Sequence, residues 1–574
     1  MKKLISFCVI VKFFLALQTT AAATSTAIST EKASSVAAPL KAVGAIKAEG
    51  LLNDIKILAS DEFEGRSPGT NGESMTVNYL TTQFKEIGLA PGNPNGTYKQ
   101  NVPLIGVVSK PTMEFHVGEK DLSLKFPDDF VAFSVSEDKE IHIKKSDIVF
   151  VGYGVVAPEY GWDDYKGVDL HGKTILMLIN DPAIPDPHDS TKLDPSMFKG
   201  DEMTYYGRWT YKYEMAARLG AAGAIIIHET KPAAYPYEVV KNSWGRENFQ
   251  IQSHGPNPNF PRVSAWIQLD RAKELLQASG FDFDSLKKAA LKKDFKPVAL
   301  RAQADITVKN TSKKIESQNV IASLEGRDPI LKKEYIIYTA HWDHFGIDES
   351  LPGPKTNQIF HGASDNASGV ATLLELAKAY KALPKTQAPK RTILFMATTA
   401  EERGLLGAQY YVRNPLYPLK KTLVNINMDG ANLWGRTKDV EITGFGKSTT
   451  DDIVAQVAAG QGRVALPEAR PELGGFFRAD QFEFAKEGIP VLYAKGGSRF
   501  IGKPENYARE KVDEYIAHDY HKVTDIVRPD WDLSGAVEDA QLLFLIGYQL
   551  AQTHSPPQWK KGAEFAAKRE LTNP

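Results

Sequence analysis

Cysteine is almost absent: the only one, Cys8, lies in an amino-terminal stretch expected to be removed, so the mature chain would hold neither a thiol nor a disulfide. An excess of charge of one sign is missing as well. The 69 Lys and Arg residues face 70 Asp and Glu residues, and a net charge of -1 gives no field to gather nucleic acid or an anionic membrane. There is no convincing internal repeat. A phosphate loop is excluded because Gly444-Phe445-Gly446-Lys447-Ser448 has Glu441 where glycine is required, and that carboxylate would repel phosphate. The stretch from Gly65 to Gly69 matches the G-x-S-x-G pattern, but an acidic loop precedes Ser67 and Pro68 follows it. A nucleophile elbow needs a strand before the serine and a helix after it, so the stretch reads as a tight turn in which Arg66 pairs with a nearby carboxylate.

What is present begins with Met1-Lys2-Lys3, an apolar run from Leu4 to Leu17 and a small-residue end at Ala21-Ala22-Ala23. This is a bacterial-type signal peptide over residues 1–23, shorter than the ~20 apolar residues of a spanning helix. Phe7 is too large for a lipid-anchor site at Cys8, so the protein is expected to be exported, periplasmic or secreted. Residues 24–44, rich in Ala, Ser and Thr, read as a flexible lead-in. The remaining length, with 42% hydrophobic and 24% charged residues, allows two to four globular domains. Residues 45–106 carry helical patterns. Residues 107–304 change to short β-rich runs such as Lys173 to Ile179 and Ala224 to His228, none ending in clustered ligand residues. Residues 305–555 return to α/β alternation, and residues 556–574 form a charged tail expected on the surface. The fold class is α/β: a mixed, largely parallel sheet flanked by helices, interrupted by a β-rich inserted domain.

Three apolar runs organise the α/β part. Tyr335 to Ala340 ends at His341-Trp342-Asp343, Arg391 to Thr399 ends at Glu401-Glu402, and Thr422 to Met428 ends at Asp429. In an open α/β sheet, ligands gather beyond the carboxyl ends of parallel strands, so these endings should meet. Asp365, just ahead of a helical pattern that starts near Gly369, enters the same crevice. Amide hydrolysis needs a nucleophile, a proton carrier and a holder of carbonyl charge; two zinc ions sharing a carboxylate supply the first and third. One bridge and two further His, Asp or Glu ligands per metal are needed. The chain offers Asp365 as bridge, His341 and Asp429 for one metal, and Glu402 and His521 for the other. Glu401 is then free as general base, Asp343 orients the His341 ring, and Tyr520 is placed to donate to the oxyanion. His344, His361 and His518 compete for the imidazole positions, His518 most closely.

The motifs Ala340-His341-Trp342-Asp343-His344, Gly362 to Gly369, Glu401 to Gly407, Asn427-Met428-Asp429 and Tyr520-His521 together resemble the co-catalytic di-zinc exopeptidases that include aminopeptidase S and glutamate carboxypeptidase. The resemblance implies the same ligands, base and oxyanion donor, two zinc ions, and a peptide substrate. The Gly-Tyr-Gly and Ala-Ala-Gly-Ala-Ile-Ile-Ile elements of residues 107–304 resemble a protease-associated domain. Where the family shows Arg-Ser-Asp-His, this chain has Arg478-Ala479-Asp480-Gln481, so Arg478 alone carries over as a substrate contact. The expected activity is that of an exported zinc aminopeptidase. The alternatives are a carboxypeptidase or dipeptidase, if Arg470, Arg478 or Arg499 points inward, then a glutaminyl cyclase with one zinc, then a non-catalytic receptor-like binding protein. The sequence specifies no oligomeric state.

Overall fold

The structure is a computed structural model that describes residues 39–136, 138–252 and 260–572. The expected signal peptide and the lead-in up to residue 38 lie outside the described residues. Among the described residues no helix is long and apolar enough to cross a membrane. Two helices come first, α1 (Ala48–Leu58) and α2 (Asn71–Ile87). The β-rich stretch then supplies β1 (Lys99–Val117), β2 (Phe130–Phe133), β3 (Glu140–Phe150), β4 (Thr174–Leu178), α3 (Trp209–Arg218), β5 (Gly223–His228), α4 (Tyr237–Trp244) and β6 (Val263–Gln268). A long strand, β7 (Val298–Leu324), leads into β8 (Tyr335–His341), α5 (Ser368–Lys381), β9 (Thr392–Thr398), β10 (Thr422–Asn427), β11 (Val491–Leu492), α6 (Tyr507–His518) and α7 (Ser534–Gln552).

The three apolar runs are β8, β9 and β10, and they lie parallel, with β8 in the middle. Every residue of β9 and β10 is buried; β9 reads as a continuous apolar run between its terminal threonines, whereas β10 buries Asn425 and Asn427 among its apolar residues. Alternate side chains sort to opposite faces. Ile336, Tyr338 and Ala340 join a core with α1, α2, α5 and α7, whereas Ile337 packs with Leu394, Met396 and Phe484 on the other side. Each buried aliphatic side chain contributes about 1.5–3 kcal/mol, so the strand ends project from a stiff platform.

The sheet order is β11-β10-β8-β9-β7-β3-β4-β5-β6-β2, with β1 hydrogen-bonded along β7. β7 is antiparallel to β9, β1 and β3, while β3 to β6 form a second parallel block. That block has its own core, built on residues such as Phe115, Leu176, Ile226, Trp266 and Leu275. The carboxyl-terminal tail runs over the surface, with Lys561, Gly562 and Glu564 exposed, and is anchored there by its rings. Trp559 donates to the Gly488 carbonyl at 2.7 Å and Phe565 packs on Phe476 and Phe482, because ring area gains more from burial than the surrounding charges lose.

One buried histidine in the second block makes stability depend on pH. His228, at the end of β5, is 3% exposed, and burial pushes its imidazole down to about 4. The unfolded chain binds this proton near the ordinary value of 6.5, so the contribution is complete above that pH and is lost as pH falls from 6.5 towards 4. The loss between pH 7 and pH 5 is expected to be roughly 2 kcal/mol. Comparing thermal unfolding of the native chain and His228→Phe at both pH values checks this: the variant should lose distinctly less, and equal losses would exclude His228 as the source.

Candidate metal centre

His341 is the last residue of β8, Glu401 and Glu402 form the turn directly after β9, and Asp429 lies two residues beyond β10. Asp365 occupies the loop ahead of α5. That loop depends on Gly362, whose φ is +56°; a Cβ there would stand 2.2 Å from the Asp365 carbonyl oxygen. The loop is also tied down. Asp525 accepts from the backbone N–H groups of Ser364 and Asp365 at 2.9 and 3.0 Å, and the Asn366 side chain donates to the Met428 carbonyl and accepts from the Gly430 N–H.

The expected ligand atoms converge on one carboxylate. His341 Nε2 lies 3.1 Å from Asp365 Oδ1 and 3.3 Å from Asp429 Oδ1. On the other oxygen, His521 Nε2 is 3.5 Å from Asp365 Oδ2 and 3.1 Å from Glu402 Oε2. The donor set is buried at His341, Asp365 and His521 and half-buried at Asp429, mixes imidazole with carboxylate, and brings His341, Asp365 and Asp429 atoms within 4.8 Å of one another. Such a set fits zinc, since the buried carboxylates repel one another unless cations sit among them. Without a cation the cluster draws protons to its imidazoles: despite burial, Glu402 and Asp365 hold His521 up at about 9.

Glu401 Oε2 is 3.8 Å from His341 Nε2, and burial first, then Asp429, Glu402 and Asp480, drives its carboxyl well above the usual range against the opposing pull of His341. Asp343 does not bond the His341 ring through its carboxylate. His341 Nδ1 is 3.2 Å from the Asp343 main-chain oxygen and 3.7 Å from Asp343 Oδ1, which instead accepts from the Glu401 N–H at 3.0 Å. The ring is still oriented by this residue, and the carboxylate fixes the turn that carries Glu401. Tyr520 stacks on His521 with ring centroids 3.8 Å apart.

Among the competing histidines, His344 does reach the cluster. Its Nδ1 is 2.5 Å from Glu402 Oε1, the oxygen turned away from His521, so it sets the carboxylate's orientation. His361 pairs with Asp61 at 2.8 Å and His518 is exposed at the end of α6. Arg66 departs from its sequence reading: it pairs with no adjacent carboxylate side chain but donates to the carbonyls of Leu58, Trp342, His361 and Gly362. Only its place in an acidic loop marks it in the sequence, and the carbonyls it binds leave no trace there.

The cluster opens into a cavity of about 1180 Å³ between the β-rich stretch and the α/β part, with Arg208, Trp244 and Phe249 on one wall and Asp429, Arg478 and Tyr520 on the other. Arg478 donates to the Ala233 carbonyl at 3.1 Å and lies over the Tyr235 ring. Arg208, which the sequence does not single out, is buried beside it; burial and then the Arg478 charge push its guanidinium down to about 10. The Nε of both arginines is buried without a hydrogen-bond partner.

Residues 319–545 match the model of the family described as Peptidase family M28. Aminopeptidase YwaD of Bacillus subtilis is 36% identical over 115 residues, 20% of this chain and 21% of that protein. A vacuolar membrane protease of Vanderwaltozyma polyspora is 32% identical over 121 residues, 21% of this chain and 11% of that protein. The chain thus spans about a fifth or less of the length of these curated relatives. The solved aminopeptidase from Aneurinibacillus sp. strain AM-1 superposes with a TM-score of 0.51 at 19% identity, covering 89% of this chain and 96% of that one, which shows the shared fold.

Proposed function

We propose, from the match of residues 319–545 to the model of peptidase family M28, that the chain is an exported zinc aminopeptidase that releases amino-terminal residues from peptides. The observation that carries this reading is the Asp365 carboxylate with one imidazole Nε2 on each oxygen, His341 at 3.1 Å and His521 at 3.5 Å. A bridge of this kind, completed by Asp429 on one side and Glu402 on the other, would hold two zinc ions. When bound, the pair acidifies water and polarises the scissile carbonyl. Glu401 takes the proton from the attacking water onto its buried carboxylate and returns it to the leaving amine. Tyr520 donates its hydroxyl to the oxygen that gains charge. The acidic cluster at Glu401 and Asp429 attracts the substrate ammonium, which places the first carbonyl over the site. Residues 107–304 act in this reading as an inserted protease-associated domain that narrows access to the cavity.

A second reading draws on Arg208 and Arg478. Two adjacent guanidiniums facing the cavity suit a substrate carboxylate, as a carboxypeptidase or dipeptidase would require. A peptide panel with free amines, blocked amines and amidated carboxyl termini, assayed beside zinc content, tests both. The aminopeptidase is expected to cleave free-amine peptides whether amidated or not, with two zinc ions per chain. Cleavage of amino-blocked peptides alone would sink it, and one zinc per chain would favour cyclisation chemistry.

A further inference from the structure

The last turn of α4 belongs to the β-rich stretch, yet it reaches the candidate metal centre. The Ser243 hydroxyl donates to the Val239 carbonyl one turn back at 2.8 Å, and the same oxygen stands 3.3 Å from His521 Nδ1. A hydroxyl has one proton to give. With that proton committed to Val239, the contact with the imidazole requires Nδ1–H as the donor, which makes Nε2 the nitrogen that would offer its lone pair to a metal held with Asp365 and Glu402. The orientation of a ligand ring by its second nitrogen is what tunes it for a metal.

The backbone of His521 needs support too. Its φ is +57°, a left-handed value that costs a side-chain-bearing residue energy, and the Asn242 amide donates to its carbonyl at 3.3 Å. Neighbouring residues grip the other ligand-bearing loops. Arg403, adjacent to Glu402, donates to the Ser243 carbonyl and lies 4.5 Å from the Phe345 ring. Arg246 pairs with Asp348 at 2.8 Å and sits 4.1 Å from the Phe360 ring, both in the connection from β8 to Asp365. Residues 242–246 therefore touch the connections that carry Glu402, Asp365 and His521.

We propose that Ser243, assisted by Asn242, is a positioning residue for the metal site completed by His521, so that the β-rich stretch is a working part of the metal centre as well as a cavity wall. The proposal rests on the reading above in which His521 holds zinc. It also gives α4 a coupling role, because Val239, Val240 and Trp244 of the same helix line the cavity that a peptide would fill.

The test is zinc back-titration of the metal-free full chain against a chromophoric chelator, with the metal-free thermal midpoint recorded in parallel. Ser243→Ala should weaken one of the two zinc sites about 10-fold or more, leaving the other site and the metal-free midpoint unchanged. Ser243→Thr, which keeps the hydroxyl, should recover most of the lost affinity. Native affinity in Ser243→Ala, a matching loss in Ser243→Thr, or a lowered metal-free midpoint would each overturn the positioning role. His521→Ala separates the two levels: loss of one site upholds the premise, whereas retention of both sites defeats the proposed ligand set itself.

Discussion

Glu401→Gln should lower kcat by about a thousandfold while the two proposed zinc ions remain bound. The substitution keeps shape and packing and removes only the ability to carry a proton. Glu401 is well suited to carrying one, because burial and the crowding of Asp429, Glu402 and Asp480 make its protonated form accessible, against the pull of His341 Nε2 at 3.8 Å. A rival assignment exists in the same geometry, since His341, Glu401 and Glu402 also bring ligand atoms within 4.8 Å of one another. Metal analysis of the purified variant separates the two. Loss of one zinc along with activity would make Glu401 a ligand, and unchanged turnover would remove it from the base role. A thousandfold fall in kcat with intact zinc content and nearly constant KM is the outcome the proton-carrier role demands.

Much of this centre is readable in the sequence because strands buried on both faces leave unbroken apolar runs, and the runs stop where the chemistry starts. Thr392 to Thr398 is such a run, and Glu401 follows its end by three residues. Asp365 is readable for a different reason: glycines at 362 and 369 bracket it, and Gly362 occupies a conformation that a side chain would disturb. What escapes sequence reading shares a physical character. Arg66 binds four main-chain carbonyls, and carbonyls look alike whatever side chain they carry. Ser243 meets His521 across 278 residues, and an isolated serine at a helix end has no pattern to betray it. The long strand β7 is legible only in its last six residues, Asn319 to Leu324. Its middle, around Lys313 and Lys314, is polar and exposed, so alternation breaks down just where one strand serves both halves of the sheet. The boundary expected between residues 304 and 305 falls inside that strand.

Arg66→Met should destabilise the folded chain by at least about 4 kcal/mol and reduce zinc binding, although Arg66 touches no ligand side chain. Its guanidinium is 1% exposed and fills a site where the Leu58, Trp342, His361 and Gly362 carbonyls point inward, at 2.6 to 2.9 Å. Methionine occupies similar volume but takes the guanidinium donors from all four carbonyls, of which Gly362 keeps the Ala367 N–H at 3.1 Å; each buried acceptor left unpaired costs about 1–3 kcal/mol. The contacts join the residue after His341 to the loop that delivers Asp365, so their loss loosens the two halves of the proposed His341–Asp365 metal site together. The charge matters as well. Asp525, Asp343, Asp365 and Glu402 favour the guanidinium's charge, while burial holds its pKa at about 10. Arg66→Lys tests geometry against charge, since an ammonium has three donors on one point and cannot span four separated carbonyls. Its denaturation midpoint and zinc affinity should fall nearly as far as those of Arg66→Met. If lysine restores both, the net charge beside the acidic cluster, rather than the fork that ties the loops, is what Arg66 contributes.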